Sequence, residues 1–325
     1  MGSALSPLQV AVVPAISLVL VLAAGAPMIR LLRGAGAGQR VRDDGPQRHL
    51  EKEGTPTMGG ALIVDAAAAA ALAGEWWRTG GLSWGTVAVV AVMVAFACIG
   101  LADDWRKVTL GRSLGLRARD KLALQAVLGA AFVYTLSRLQ GDAPGAQAVG
   151  WAAFWLLAMM ATSNAMNLAD GLDGLAAGLC VISAAGFAAL GLVSGQAAVA
   201  VVALALFGAC LGFLWFNRHP ARVFMGDVGS LALGAAMAAM AAWLNQPWAL
   251  VGLCLVPFIE EASVIAQVAS FKTTGKRILR MSPIHHHFEL SGWSEQRVVW
   301  TFWAVGLAAA AVTVAAATRW GAGAG

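Results

Sequence analysis

Ten stretches of the chain are apolar at nearly every position: roughly 8–32, 58–74, 84–102, 121–138, 150–166, 174–193, 198–215, 227–243, 248–270 and 298–318. A helix needs roughly 20 such residues to cross the hydrocarbon core of a bilayer. The pattern therefore predicts an all-α, polytopic membrane protein of about ten transmembrane helices, folded as one membrane domain over 1–325. Several stretches are rich in Ala and Gly, which lets helices pack closely in lipid. Pro257 inside the ninth stretch predicts a kinked or broken helix.

The connections alternate. Those at 75–83, 139–149, 194–197 and 244–247 are short, whereas 33–57, 103–120, 216–226 and 271–297 are long and charged, with a tight turn at 167–173 on the same side. Of the 22 Lys and Arg, only Arg78, Arg138 and Arg319 fall on the short-loop side. Positive residues stay in the cytoplasm, so the long loops are expected there and both termini outside. The first basic residue, Arg30, follows the first apolar stretch, which reads as a retained span rather than a signal peptide.

Composition agrees. With 59% hydrophobic and only 12% charged residues, and a mean hydropathy of +0.72, the chain cannot bury its apolar surface as a soluble enzyme. The net charge of +5 is explained by the cytoplasmic loops, so nucleic acid is not an expected partner and the lipid bilayer is. Cys98, Cys180, Cys210 and Cys254 lie in apolar stretches without CxxC spacing and read as small buried side chains.

Carboxylates need a different reason. Asp43, Asp44, Glu51, Glu53, Asp103, Asp104, Asp120, Asp170, Asp173, Asp227, Glu289 and Glu295 all fall on the long-loop side, yet acids contribute little to topology. Asp103 and Asp104 close the third stretch. Two adjacent carboxylates there call for a cation, either a metal such as Mg²⁺ or the local Arg106 and Lys107. Asn164-Ala-Met-Asn-Leu-Ala-Asp-Gly-Leu-Asp-Gly174 packs two Asn and two Asp into a turn. Asp170 and Asp173 would share a face if helical, and Gly171 allows close ligand approach. Asp227 at the start of the eighth stretch is either a helix N-cap or a metal ligand, and Phe224 beside it either stacks a base or packs. Lys52 and Thr57 lead into the second stretch with a cation and a hydroxyl. His285, His286 and His287 cannot all face one metal from one helix, so zinc is a poor reading. Glu260 and Glu261 inside the ninth stretch are costly in lipid and are functional candidates. No GxxxxGK[ST] occurs. Distributed acids beside Lys52, Lys107 and Lys121 point to Mg²⁺-dependent phosphoryl chemistry at one membrane face.

The strings GTPTMGG, LADDWRK, NAMNLADGLDGLAAG, VFMGDVGSLALG and SPIHHHFELSGWSE occur in this order between Gln47 and Arg297. Together they resemble the phospho-N-acetylmuramoyl-pentapeptide transferase family of peptidoglycan synthesis. The resemblance implies an enzyme of the bacterial inner membrane, active face to the cytoplasm. It would join UDP-N-acetylmuramoyl-pentapeptide and undecaprenyl phosphate to give lipid I and UMP, with Mg²⁺ as cofactor. It implies Asp227 as a catalytic residue and metal ligand, Asp103 and Asp104 as catalytic residues that either meet the acceptor phosphate or act as its base, and Lys107 and Lys121 near the acceptor phosphate. Lys52, Thr57, Asn167, Asp170, Gly171, Asp173, Phe224, Gln267, His285, His286 and His287 would form the donor region. A homodimer is left open. Two alternatives stand beside this one: a related transferase using another UDP-sugar such as N-acetylglucosamine, and a membrane transporter built around Glu260 and Glu261.

Overall fold

A computed structural model describes residues 5–38, 52, 54–111, 115–141 and 145–321. Asp43, Asp44, Glu51 and Glu53 lie outside these. The described chain is nearly all helical: α1 (Pro7–Gly34), α2 (Gly60–Thr79), α3 (Trp84–Leu110), α4 (Ala118–Gln140), α5 (Ala146–Ala169), α6 (Leu175–Val193), α7 (Ala197–Asn217), α8 (Gly226–Leu244), α9 (Pro247–Leu253), α10 (Leu255–Thr274), α11 (Ile284–Leu290) and α12 (Glu295–Gly321). Eight of these are long and apolar enough to cross a membrane, and nine if the bent pair α9–α10 is one span. The protein is thus a multi-pass membrane protein. The second predicted stretch is α2, which carries Asp65 and Glu75 and is not among the eight. Glu75 is buried but matched by Arg78 at 2.7 Å.

The break in the ninth stretch falls at Cys254, where α9 and α10 meet at 83°. Pro257 instead occupies the first turn of α10, where a missing N–H breaks no helical bond. Cys98 is exposed on the outside of α3, contrary to the buried expectation; Cys180, Cys210 and Cys254 are buried as expected.

Helix α8 forms the centre, with almost every residue buried. Its Ala, Gly and Ser side chains let α3 and α5 approach its backbone, the close packing that small residues permit where no hydrophobic effect drives association. At Gly100 of α3, a Cβ would overlap the carbonyl of Asp227. Gly100→Ala is therefore expected to cost about 1–3 kcal/mol of stability by overpacking. A lowered thermal midpoint in detergent, read by size-exclusion chromatography, would show it; an unchanged midpoint would mean that α3 and α8 separate at little cost.

The C-terminal ends of α3, α5 and α7 and the N-terminal ends of α4, α6, α8 and α12 meet at one end of the bundle, joined there by Lys107, Lys121, Asn167, Gly174, Asn217, Asp227 and Glu295. The segment before α2 is stitched there by backbone bonds: Phe224 N–H donates to the Pro56 carbonyl (2.8 Å), and Gly59 and Gly60 donate to those of Phe224 and Met225 (2.9 and 2.8 Å).

Candidate active site

Helix α3 continues two turns beyond its apolar pattern, with two of its polar residues there, Asp103 and Asp104, buried rather than solvated. Asp104 Oδ2 accepts the backbone N–H of Val228 at 3.1 Å, satisfying one of the orphan donors at the start of α8. Gly226, at φ +72°, turns the chain into α8, and a side chain there would overlap that same carboxylate. Asp227 is the second residue of α8, not its N-cap, which is Met225.

Asp103, Asp104 and Asp227 each offer an oxygen within 4.8 Å of the others. Lys107 Nζ lies 2.7 Å from Asp103 Oδ2, 3.2 Å from Asp104 Oδ1 and 2.9 Å from Asp227 Oδ1. Lys121, brought in by α4, donates to Asp227 Oδ2 at 2.5 Å. Asn167 of α5 donates to Asp227 Oδ1 at 3.0 Å and to Ser230 Oγ at 2.9 Å. Asp103 Oδ1 accepts from Leu116 N–H at 2.8 Å. Convergent carboxylate oxygens in a buried setting are the donors that a hard divalent cation takes. Two lysines beside them can face phosphate oxygens as point charges.

Asp170 caps the end of α5 without continuing it, so it shares no helical face with Asp173: residues 170–174 form a turn. Burial, then the charges of Asp227 and Asp104, push the Asp170 carboxyl up to about 7.

Asp173 points elsewhere. Lys52 Nζ lies 2.7 Å from Asp173 Oδ1 and 2.6 Å from Glu295 Oε1. His219 Nδ1 lies 3.1 Å from Asp173 Oδ2, which also accepts Ala221 N–H at 3.0 Å, and Asp173 N–H donates to Glu295 Oε1 at 2.7 Å. Asp173, His219 and Glu295 have the spacing to hold a cation, and Lys52 bridges two of them as Lys107 bridges the other cluster. His219 and Glu295 enter the site only through the fold: Glu295 belongs to the SPIHHHFELSGWSE string, whereas His219, beside Arg218 in a basic loop, carries no local signal.

The remaining candidates are spread out. Thr57 is buried with its N–H on Ala37, and Phe224 is half-buried beside it. Gln267 is buried two turns before the end of α10 and accepts the N–H groups of Ile278 and Leu279 at 3.1 and 3.0 Å, so it holds the following loop. The His run opens a short helix, α11, that hydropathy gave no sign of. His286 pairs with Glu289 at 2.9 Å and His287 Nδ1 accepts Arg280 N–H at 3.1 Å. His285 is fully buried and turned toward Glu260.

A model of glycosyl transferase family 4 matches residues 86–245, and a phospho-N-acetylmuramoyl-pentapeptide-transferase signature matches 52–64. The chain is similar to the phospho-N-acetylmuramoyl-pentapeptide-transferase of Geobacillus kaustophilus, 47% identical over 306 residues that cover 90% of this chain and 93% of the relative. The protein of that name from Desulforamulus reducens is 45% identical over 300 residues, 89% of this chain and 90% of its own. That from Desulforudis audaxviator is 44% identical over 328 residues, 95% and 98% of the two chains. Matches of this depth run through both ion clusters and the helices that carry them, and on that ground the chain belongs to the phospho-N-acetylmuramoyl-pentapeptide transferase family.

Proposed function

We propose that this protein transfers phospho-N-acetylmuramoyl-pentapeptide from its UDP-linked donor to undecaprenyl phosphate, forming lipid I and releasing UMP, with Mg²⁺ as cofactor. The observation that carries this reading is the buried set of Asp103, Asp104 and Asp227 threaded by Lys107 and Lys121, in a chain of this family. An oxygen of the acceptor phosphate attacks the donor's β-phosphorus as the bond to UMP breaks. A phosphate monoester has its second pKa near 6, so the acceptor is already largely ionised at neutral pH. The barrier is then the meeting of two anions, not removal of a proton.

Lys107 and Lys121 reduce that repulsion in a site where water is scarce. Asp227, with Asp103 and Asp104 beside it, would hold Mg²⁺, which supplies charge neutralisation at the phosphoryl oxygens. Lys52, Thr57, Asn167, Asp170, Gly171, Asp173, Phe224, Gln267, His285, His286 and His287 form the donor side, joined by Glu295 and His219 through the Lys52 network. The basic residues crowd the active end, which supports an orientation with that end in the cytoplasm; ten crossings with both termini outside, in the bacterial inner membrane, belong to the same reading.

The transporter alternative asks for carboxylates along a midplane path. Most acids instead gather at one end, and Glu260 is closed off by His285. The test is purified protein incubated with UDP-N-acetylmuramoyl-pentapeptide and undecaprenyl phosphate, following UMP release and lipid I. Product with UDP-N-acetylglucosamine and none with the muramoyl donor would overturn the reading in favour of the nearer alternative.

A further inference from the structure

Glu260 belongs to neither ion cluster. It sits in the second turn of α10, fully buried, and faces the equally buried His285, with Nδ1 to Oε2 at 3.1 Å. Neither atom finds a well-directed hydrogen bond, and Glu260 Oε1 and His285 Nε2 also have none. Buried polar groups are kept where a polar neighbour faces them, and here the carboxyl of Glu260 and the ring of His285 face each other. The His285 ring is confined on a further side by His286, 4.1 Å away between ring centroids at 62°.

The ring meets Gly171. A Cβ at Gly171 would overlap Nε2 and stand 2.7 Å from Cε1, and the three atoms nearest that Cβ all belong to His285. The Gly171 backbone lies outside the left-handed region, so it is the ring, not the backbone conformation, that stands against a side chain there. Gly171 sits between Asp170, coupled to the Asp227 cluster, and Asp173, which holds Lys52. The turn is the covalent link between the two ion clusters, and the His285 ring is pressed against it.

We propose that Glu260 is a positioning residue: it holds the His285 ring against Gly171 and so fixes the 170–174 turn for donor binding. The assignment to donor binding rests on the function proposed above; the contact itself does not. A Glu at this depth then needs no ion path to explain it.

The experiment compares Gly171→Ala, His285→Ala, Glu260→Ala, Glu260→Gln and the doubles Gly171→Ala/His285→Ala and Glu260→Ala/His285→Ala, read by thermal midpoint, UMP affinity and transferase kinetics. Glu260→Gln keeps the shape and is expected to raise donor KM by about tenfold while kcat stays within about threefold, since it removes placement rather than transition-state contact. Gly171→Ala should weaken UMP binding by about tenfold or more, and adding His285→Ala should bring no further loss beyond His285→Ala alone. Glu260→Ala/His285→Ala should be no worse than the poorer single variant. If Gly171→Ala yields only aggregate, recovery of dispersed protein in Gly171→Ala/His285→Ala supports the contact, and failure to recover it overturns it. Additive losses, or wild-type donor KM and UMP affinity in Glu260→Gln, also overturn the proposal. Were the wild type to use a different donor, the proposed function would fail, while the midpoints of the same variants would still decide whether Glu260, His285 and Gly171 act as one unit.

Discussion

Asp227→Asn is expected to lower turnover by at least about 10²–10³-fold, the loss typical when one preorganised electrostatic group is removed from a water-poor site. The carboxylate receives Lys107, Lys121 and Asn167 at 2.9, 2.5 and 3.0 Å. An amide keeps the shape but removes the charge that Lys121 and Lys107 share, leaving Lys107 only Asp103 and Asp104. The variant should also respond weakly to Mg²⁺, because a neutral oxygen is a poorer ligand for a hard cation. Transferase rates against Mg²⁺ concentration, with a size-exclusion profile to show that the protein remains folded, check both statements. Wild-type turnover would remove Asp227 from the reacting site.

Asp103→Asn is expected to lose rate by a similar factor at every pH from about 6 to 9. Were Asp103 the base that deprotonates the acceptor, its loss would matter chiefly below about pH 6, where the monoester keeps its second proton. The geometry argues against that role. Oδ1 is taken by Leu116 N–H at 2.8 Å and Oδ2 by Lys107 at 2.7 Å, which leaves an organising carboxylate rather than a free acceptor. A pH–rate profile at saturating substrates decides the matter. Return to the wild-type rate at alkaline pH would restore the general base.

Hydropathy alone located every long helix, since a bilayer demands about 20 apolar residues per crossing wherever the chain runs. It misjudged ends where burial was polar. The third apolar stretch stops at 102, but α3 runs to Leu110, with Asp103 and Asp104 buried inside it. It also missed α11, seven residues long and held by its neighbours rather than by its own pattern. The acids at the active end were legible as residues without a topological reason to be there, and Lys107 and Lys121 as their partners.

What pairs with what was not legible. Lys52 reaches Asp173 across 121 positions and Glu295 across 243, and nothing local in sequence marks such a match. Asp170 and Asp173, three apart, part company because the helix ends between them, so one faces the Asp227 cluster and the other Lys52. Glu260 was conspicuous as a charge in an apolar run, but its partner His285 lies on another helix. The sequence by itself determined the membrane class, the helices and the residue types gathered at one end, because the bilayer acts on each segment separately. Tertiary structure decided which charges meet, because an ion pair depends on distances of about 3–4 Å that only packing sets.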